Sequence, residues 1–194
     1  KRWVCQVTIT LAGDPELLKA FREAGCIGVL IGIESINEKN IEFAGKKINV
    51  VSEYREKISK IHQRGIFVQG SFVFGFDNDD VSAFAPVLEF VFENKLESAN
   101  FCVLTPLPGT TIYDKLDREG RLLPRDWSKY DRLNVVYEPL NLSPQELQQG
   151  VIDCYLETYS YSGILRRLPW LSIRAPMALA FNLSYRKGAY GQWK

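Results

Sequence analysis

An apolar run from Gly28 to Ile33 stops abruptly on Glu34 and Ser35. A continuous apolar stretch of this length reads as a strand buried on both faces, the kind found in parallel sheets. Its polar end then falls at the strand's C-terminus, the rim where parallel α/β folds hold their ligands. The plainer reading of Glu34 is a cap or ion pair for the loop that follows.

The segments around this run repeat one pattern. Strands are expected over 3–10, 27–33, 66–74 and 99–104. Between them lie helices over about 14–24, 37–43, 51–63 and 81–94, the first opened by Asp14–Pro15 and closed by Gly25. Pro86 inside the last of these predicts a kink or a later start. Strict β-α alternation implies a parallel sheet with right-handed crossovers. With only four strands it is either an open α/β layer or a partial (β/α) barrel whose other strands lie upstream. Residues 1–112 carry this alternation, and residues 113–194 form a mostly helical extension.

The extension has a different texture. Residues 121–142 are rich in Pro, Asp, Tyr and Trp, and Ser143–Pro144–Gln145–Glu146 is a capping box that launches a helix. The tail from 164 onward is basic and aromatic, with Arg166, Arg167, Trp170, Arg174, Phe181, Tyr185, Arg186, Tyr190 and Trp193. It is expected to pack on the barrel, with a membrane-surface role as the alternative.

Bulk properties narrow the function. A formal net charge of +1 gives no reason to expect nucleic acid. No apolar run reaches the length of a spanning helix, and no signal sequence opens the chain. The start on Lys1 suggests a piece of a longer protein. Cys5, Cys26, Cys102 and Cys154 are too far apart for a C-x-x-C or iron–sulfur motif, so free thiols and a cytoplasmic setting are expected.

Several chemistries fail on inspection. The glycines of Gly28–Val29–Leu30–Ile31–Gly32 sit within a strand, not in a phosphate-binding turn, and there is no Walker A sequence. His62, the single histidine, lies near a helix end and reads as a surface or capping residue. Asp77, Asp79 and Asp80 cluster, but an acidic helix N-terminus accounts for them. What remains is one face lined by Thr8, Thr10, Glu34, Ser35, residues 75–80 and residues 105–110, a polar small-molecule site.

Four stretches in order resemble the second half of a radical S-adenosylmethionine (SAM) enzyme of the kind with an N-terminal cobalamin-binding domain. Trp3–Val4–Cys5–Gln6 resembles the third barrel strand, and Gly32–Ile33–Glu34–Ser35 the fourth. Ser71–Phe72–Val73–Phe74–Gly75 resembles the G-x-I-x-G strand, with Ser71 for the first glycine and Val73 for the isoleucine. Leu104–Thr105–Pro106–Leu107–Pro108–Gly109–Thr110 resembles the sixth strand and its loop. The resemblance implies the partial (β/α) barrel, with residues 1–112 as its C-terminal half, that Glu34 and Ser35 meet the polar part of SAM, and that Ser71, Val73, Phe74, Gly75, Leu104 and Thr105 lie along adenine. Gln6 and Gln69 are lesser candidates that depend on strand register.

The family's C-x-x-x-C-x-x-C loop is absent here. The resemblance therefore implies that ligands of a [4Fe–4S] cluster, and a cobalamin domain, lie outside this chain, in the upstream half of the same protein. It implies methylation or another radical reaction at an unactivated carbon for the parent, and weak or no SAM binding and no activity for this chain alone. The aromatic tail suggests an apolar, lipid-like small molecule as substrate. Two other readings stay open: a non-catalytic α/β module whose tail binds a partner or membrane surface, and a TIM-barrel enzyme of ordinary polar chemistry, for which no acid–base pair stands out.

Overall fold

In a computed structural model, the chain is described over residues 1–123, 126–170 and 175–193. Four strands, β1 (Trp3–Val7), β2 (Cys26–Glu34), β3 (Phe67–Phe74) and β4 (Ser98–Val103), form one sheet in the order β1-β2-β3-β4, every pair parallel. The crossovers are α1 (Pro15–Glu23), α2 (Glu38–Phe43) with α3 (Tyr54–Gln63), and α4 (Phe84–Glu93). After β4 come α5 (Thr111–Arg118), α6 (Pro144–Thr158), α7 (Tyr161–Arg167) and α8 (Ala175–Trp193).

Local chemistry sets most of these boundaries. Asp14 caps α1 by accepting from the Leu17 amide at 2.9 Å. The capping box at Ser143 forms in both directions, at 3.1 Å and 2.8 Å. Pro86 falls in the first turn of α4, where its missing N–H removes no helical bond, so the later start is realised. β1 is shorter than expected. It ends at Val7, and Ile9–Gly13 turns into a 3-10 helix that buries Ile9, Leu11 and Ala12.

The sheet is not buried equally on its two faces. Val29, Ile31, Ile33, Val68, Phe72, Phe101 and their neighbours pack against the crossover helices in one core. The alternate residues Leu30, Gly32, Glu34, Gln69, Ser71, Val73, Asn100 and Cys102 are only half-buried. The expectation that residues 28–35 are buried on both faces is therefore corrected: a period of two sends one set inward to a half-open surface.

The outer edge of β4 is closed by side chains of α6 and its C-terminal flank. The Tyr159 hydroxyl accepts from the Ala99 amide at 3.1 Å and donates to its carbonyl at 2.8 Å, and the Tyr155 hydroxyl accepts from the Phe101 amide at 3.1 Å. The Arg132 carbonyl accepts from the Val103 amide at 2.7 Å. Backbone groups that would otherwise recruit another strand are thus occupied. Opposite, β1 pairs with β2 alone among the described strands.

The aromatic tail turns partly inward, with Trp170 and Phe181 left exposed. Tyr185 stacks on Tyr159, Trp193 packs on Tyr155, and Arg186 lies over the rings of Tyr161 and Tyr190. Arg174 lies outside the described residues. Among the described residues no helix is long and apolar enough to cross a membrane.

Candidate functional site

A cavity of about 620 Å³ opens at the C-terminal end of the half-open face. β1 contributes Gln6, β2 contributes Leu30, Gly32 and Glu34, and β3 contributes Ser71 and Val73. Asn100 and Cys102 come from β4, followed by Leu104, Thr105 and Leu107. Asp131, Arg132, Leu133 and Tyr155 form the wall beyond β4.

Of the residues singled out from sequence, Glu34, Ser71, Val73, Leu104, Thr105 and Gln6 are brought together. The pleat explains the selection: Ser71 and Val73 share a face, so Phe74 takes the opposite one and is 2% exposed against Phe84 and Phe101. Gly75 lies past the strand, donating its N–H to Asp79 at 2.9 Å. Ser35 is buried beside a neighbouring cleft, where its hydroxyl accepts from the Asn37 amide at 3.1 Å and from Asn40 at 3.3 Å. Gln69 faces a second, apolar cavity under α8 and donates to the Tyr185 hydroxyl at 3.1 Å. Thr10 leaves the rim with the 3-10 turn, its hydroxyl 2.5 Å from that of Thr8.

Glu34 carries the strain of the site. The register with β3 skips between Gly32 and Glu34, and Glu34 takes φ 64. Ser35 N–H reaches back to the Ile33 carbonyl at 2.9 Å, closing a three-residue turn around it. Non-glycine residues in this region of backbone space are uncommon and cluster at ligand sites. The side chain folds back over Gly32: a Cβ placed there would lie 2.5 Å from the carboxylate Oε1. Lys46 pairs with the same oxygen at 3.4 Å.

Gly32→Ala is accordingly expected to leave unfolding free energy within about 1 kcal/mol of wild type, because a flexible carboxylate can yield. It should displace that carboxylate from its resting place. A variant structure with Glu34 unmoved would contradict this.

Cys102 is a site residue that sequence reading passed over as an inert thiol. Burial pushes its pKa up, against the Arg132 charge and a hydrogen bond with Ser71, so the thiol stays protonated. Burial likewise pushes the Tyr155 phenol up to about 12. Alternation along β4, with Ala99, Phe101 and Val103 apolar, was the available signal for Asn100 and Cys102. Arg132 and Tyr155 had no signal, because they arrive from distant segments.

The three aspartates have three separate tasks. Asp80 caps a 3-10 turn through the Ser82 amide at 2.7 Å, as an acidic helix start should. Asp77 pairs with Lys115 at 2.5 Å and Arg121 at 2.9 Å. Asp79 is buried, and accepts from Asn40 at 2.7 Å and from the Gly75 and Phe76 amides. Burial raises its carboxyl pKa despite those donors. His62 bonds the Glu97 carboxylate at 3.1 Å, far from this cavity. Among the described residues, no group of three or more His, Cys, Asp or Glu could hold a metal ion.

No protein-family model matches the chain. Among curated proteins it is 31% identical over 167 residues to the bacteriochlorophyllide d C-12(1)-methyltransferase of Chlorobaculum tepidum, covering 86% of this chain and 36% of the relative. It is 29% identical to the C-8(2)-methyltransferase of the same organism, over 97% of this chain and 42% of that one. The anaerobic magnesium-protoporphyrin IX monomethyl ester cyclase of Cereibacter sphaeroides is 26% identical over 87% of this chain and 27% of its own length. This chain is homologous to the cobalamin-type radical SAM enzymes.

The fold agrees with that family. TsrM of Kitasatospora setae, a radical SAM methyltransferase solved with cobalamin and a [4Fe–4S] cluster bound, superposes over 95% of this chain and 36% of its own, with a TM-score of 0.56 at 14% identity. The chain spans between about a quarter and two fifths of the curated relatives it matches. The shared feature is the layer of four parallel strands with its crossover helices, at whose C-terminal end the cavity opens.

Proposed function

We propose that this chain forms the SAM-facing part of an enzyme that methylates, or otherwise modifies through radicals, an unactivated carbon of an apolar small molecule. The observation that carries the reading is the convergence of Glu34, Ser71, Val73 and Thr105 on one strand-end cavity. The fit to SAM is chemical. A carboxylate, held back over a glycine where a Cβ would intrude, suits hydroxyl and ammonium donors. Val73 and Leu104 offer apolar surface for a purine, and Ser71 and Thr105 offer hydroxyls at its edges.

Bound SAM supplies a methyl group and a route to an alkyl radical, and the chain's own share is positioning. Glu34 orients the sugar and amino-acid part, and Val73 and Leu104 exclude water from the base. Cys102, held protonated, does not compete as a nucleophile. As the resemblance implies, we place the [4Fe–4S] ligands and the cobalamin site outside this chain, which spans only part of the length of its curated relatives. We assign the outer edge of β1, unpaired among the described residues, to further strands of the same barrel. An apolar substrate is supported by Leu107, Leu133 and Tyr155 in the cavity wall and by relatives named for bacteriochlorophyllide and porphyrin chemistry.

In the longest protein that contains this chain, reconstituted anaerobically, calorimetry should show SAM binding that Glu34→Gln weakens about tenfold. Wild-type affinity in that variant overturns the assignment of the cavity. Residues 1–194 alone should bind SAM weakly or not at all, and micromolar binding would refute that part.

A further inference from the structure

One charged side chain at the cavity has no task in the reading above. Arg132 lies on the wall beyond β4. Among the described residues no hydrogen bond or ion pair engages its guanidinium. Its charge reaches the interior all the same, lowering the Cys102 thiol and the Tyr155 phenol against the larger effect of burial. The other charges are engaged: Glu34 pairs with Lys46, and Asp131 is occupied by its own loop.

That loop is built to present Arg132. The Asp131 carboxylate accepts from the Leu133 amide at 2.8 Å, the Asn134 amide at 2.9 Å and the Asn134 side chain at 2.8 Å. Arg132 itself takes φ 70, and its carbonyl is tied to the β4 edge by the Val103 amide. A residue at positive φ, fixed on both sides, keeps its side chain on one wall.

We propose that Arg132 anchors a carboxylate carried by the ligand of this cavity. A guanidinium offers a planar fork that matches a carboxylate in two parallel hydrogen bonds, and a half-closed wall screens that pair less than open water does. Glu34 ends β2 and Arg132 borders β4, so the ligand is recognised by opposite charges across the width of β3. The carboxylate belongs either to the substrate or to the amino-acid part of SAM. The inference rests on the assignment of the cavity made above.

The test reads Arg132 directly, by phenylglyoxal labelling and peptide mass spectrometry in the longest protein that contains this chain. Protoporphyrin IX and its dimethyl ester form one probe pair, chosen because a relative is named for a porphyrin. SAM and its carboxyl methyl ester form the other. Labelling slowed about fivefold or more by an acid, and not by its ester, supports the anchor, and the responding pair identifies the carboxylate's source. Equal labelling with acid and ester in both pairs overturns it.

Arg132→Gln gives a second readout in an exposed residue whose loss should not unfold the chain. Affinity for the protecting acid should fall about tenfold, with the ester unchanged. Unchanged acid affinity also overturns the proposal. Failure of the cavity assignment reads differently: Glu34→Gln would bind SAM like wild type while the porphyrin acid still protects Arg132.

Discussion

Arg167→Ala is expected to cost about 3–5 kcal/mol of unfolding free energy, read as a lower denaturant midpoint at unchanged slope. Arg167 is 2% exposed. Its Nη1 donates to the Leu96 and Glu97 carbonyls at 2.8 and 3.0 Å, and Nη2 to the Thr158 carbonyl and Asn182 Oδ1 at 2.8 and 2.9 Å. Nε reaches the Gly163 carbonyl at 3.2 Å. One side chain thus joins the turn before β4, the end of α6, α7 and α8. Removing it leaves several buried acceptors without donors and opens a void.

Lysine should rescue little, because three donors on a point charge cannot reproduce the fork. The damage should spread to the cavity under α8, where Gln69 meets Tyr185 and where Asn182 also donates to the Glu97 carbonyl at 2.9 Å. Hydrogen exchange over α8 should quicken before that of the sheet. A loss below about 1 kcal/mol would show that this buried arginine is incidental.

Gly75→Ala is expected to cost about 3 kcal/mol or more, from two independent sources. Gly75 takes φ 100, a conformation that L side chains rarely adopt. A Cβ there would also lie 2.2 Å from the Tyr137 hydroxyl and 2.7 Å from Leu147 Cδ2. The Tyr137 hydroxyl already donates to the Gly75 carbonyl, and Asp79 holds the Gly75 and Phe76 amides, so the turn has nowhere to move. Tyr137→Phe in the same chain should recover part of the loss by removing the nearest atom. No recovery would assign the whole cost to backbone strain. Because Val73 is two residues upstream, SAM affinity should fall alongside stability.

The resting state of the site shows why its two sequence-adjacent polar residues part company. Glu34 and Ser35 look equivalent at the end of an apolar run. The three-residue turn around Glu34 sends one carboxylate back over Gly32 and the next hydroxyl into a bond network with Asn37 and Asn40. The same separation occurs at Phe74, which the pleat directs into the core while Val73 lines the cavity.

The order of strands and helices, their parallel sense and the caps at Asp14 and Ser143 were all readable along the chain. Each depends on residues within a few positions of one another: periodicity, side-chain caps and the pleat act locally. The tertiary structure alone decided that Arg132 and Tyr155 wall the cavity, that tyrosine hydroxyls close the β4 edge, and that Arg167 fastens the tail. Those contacts join segments tens of residues apart, and long-range packing, not local preference, selects which of them meet.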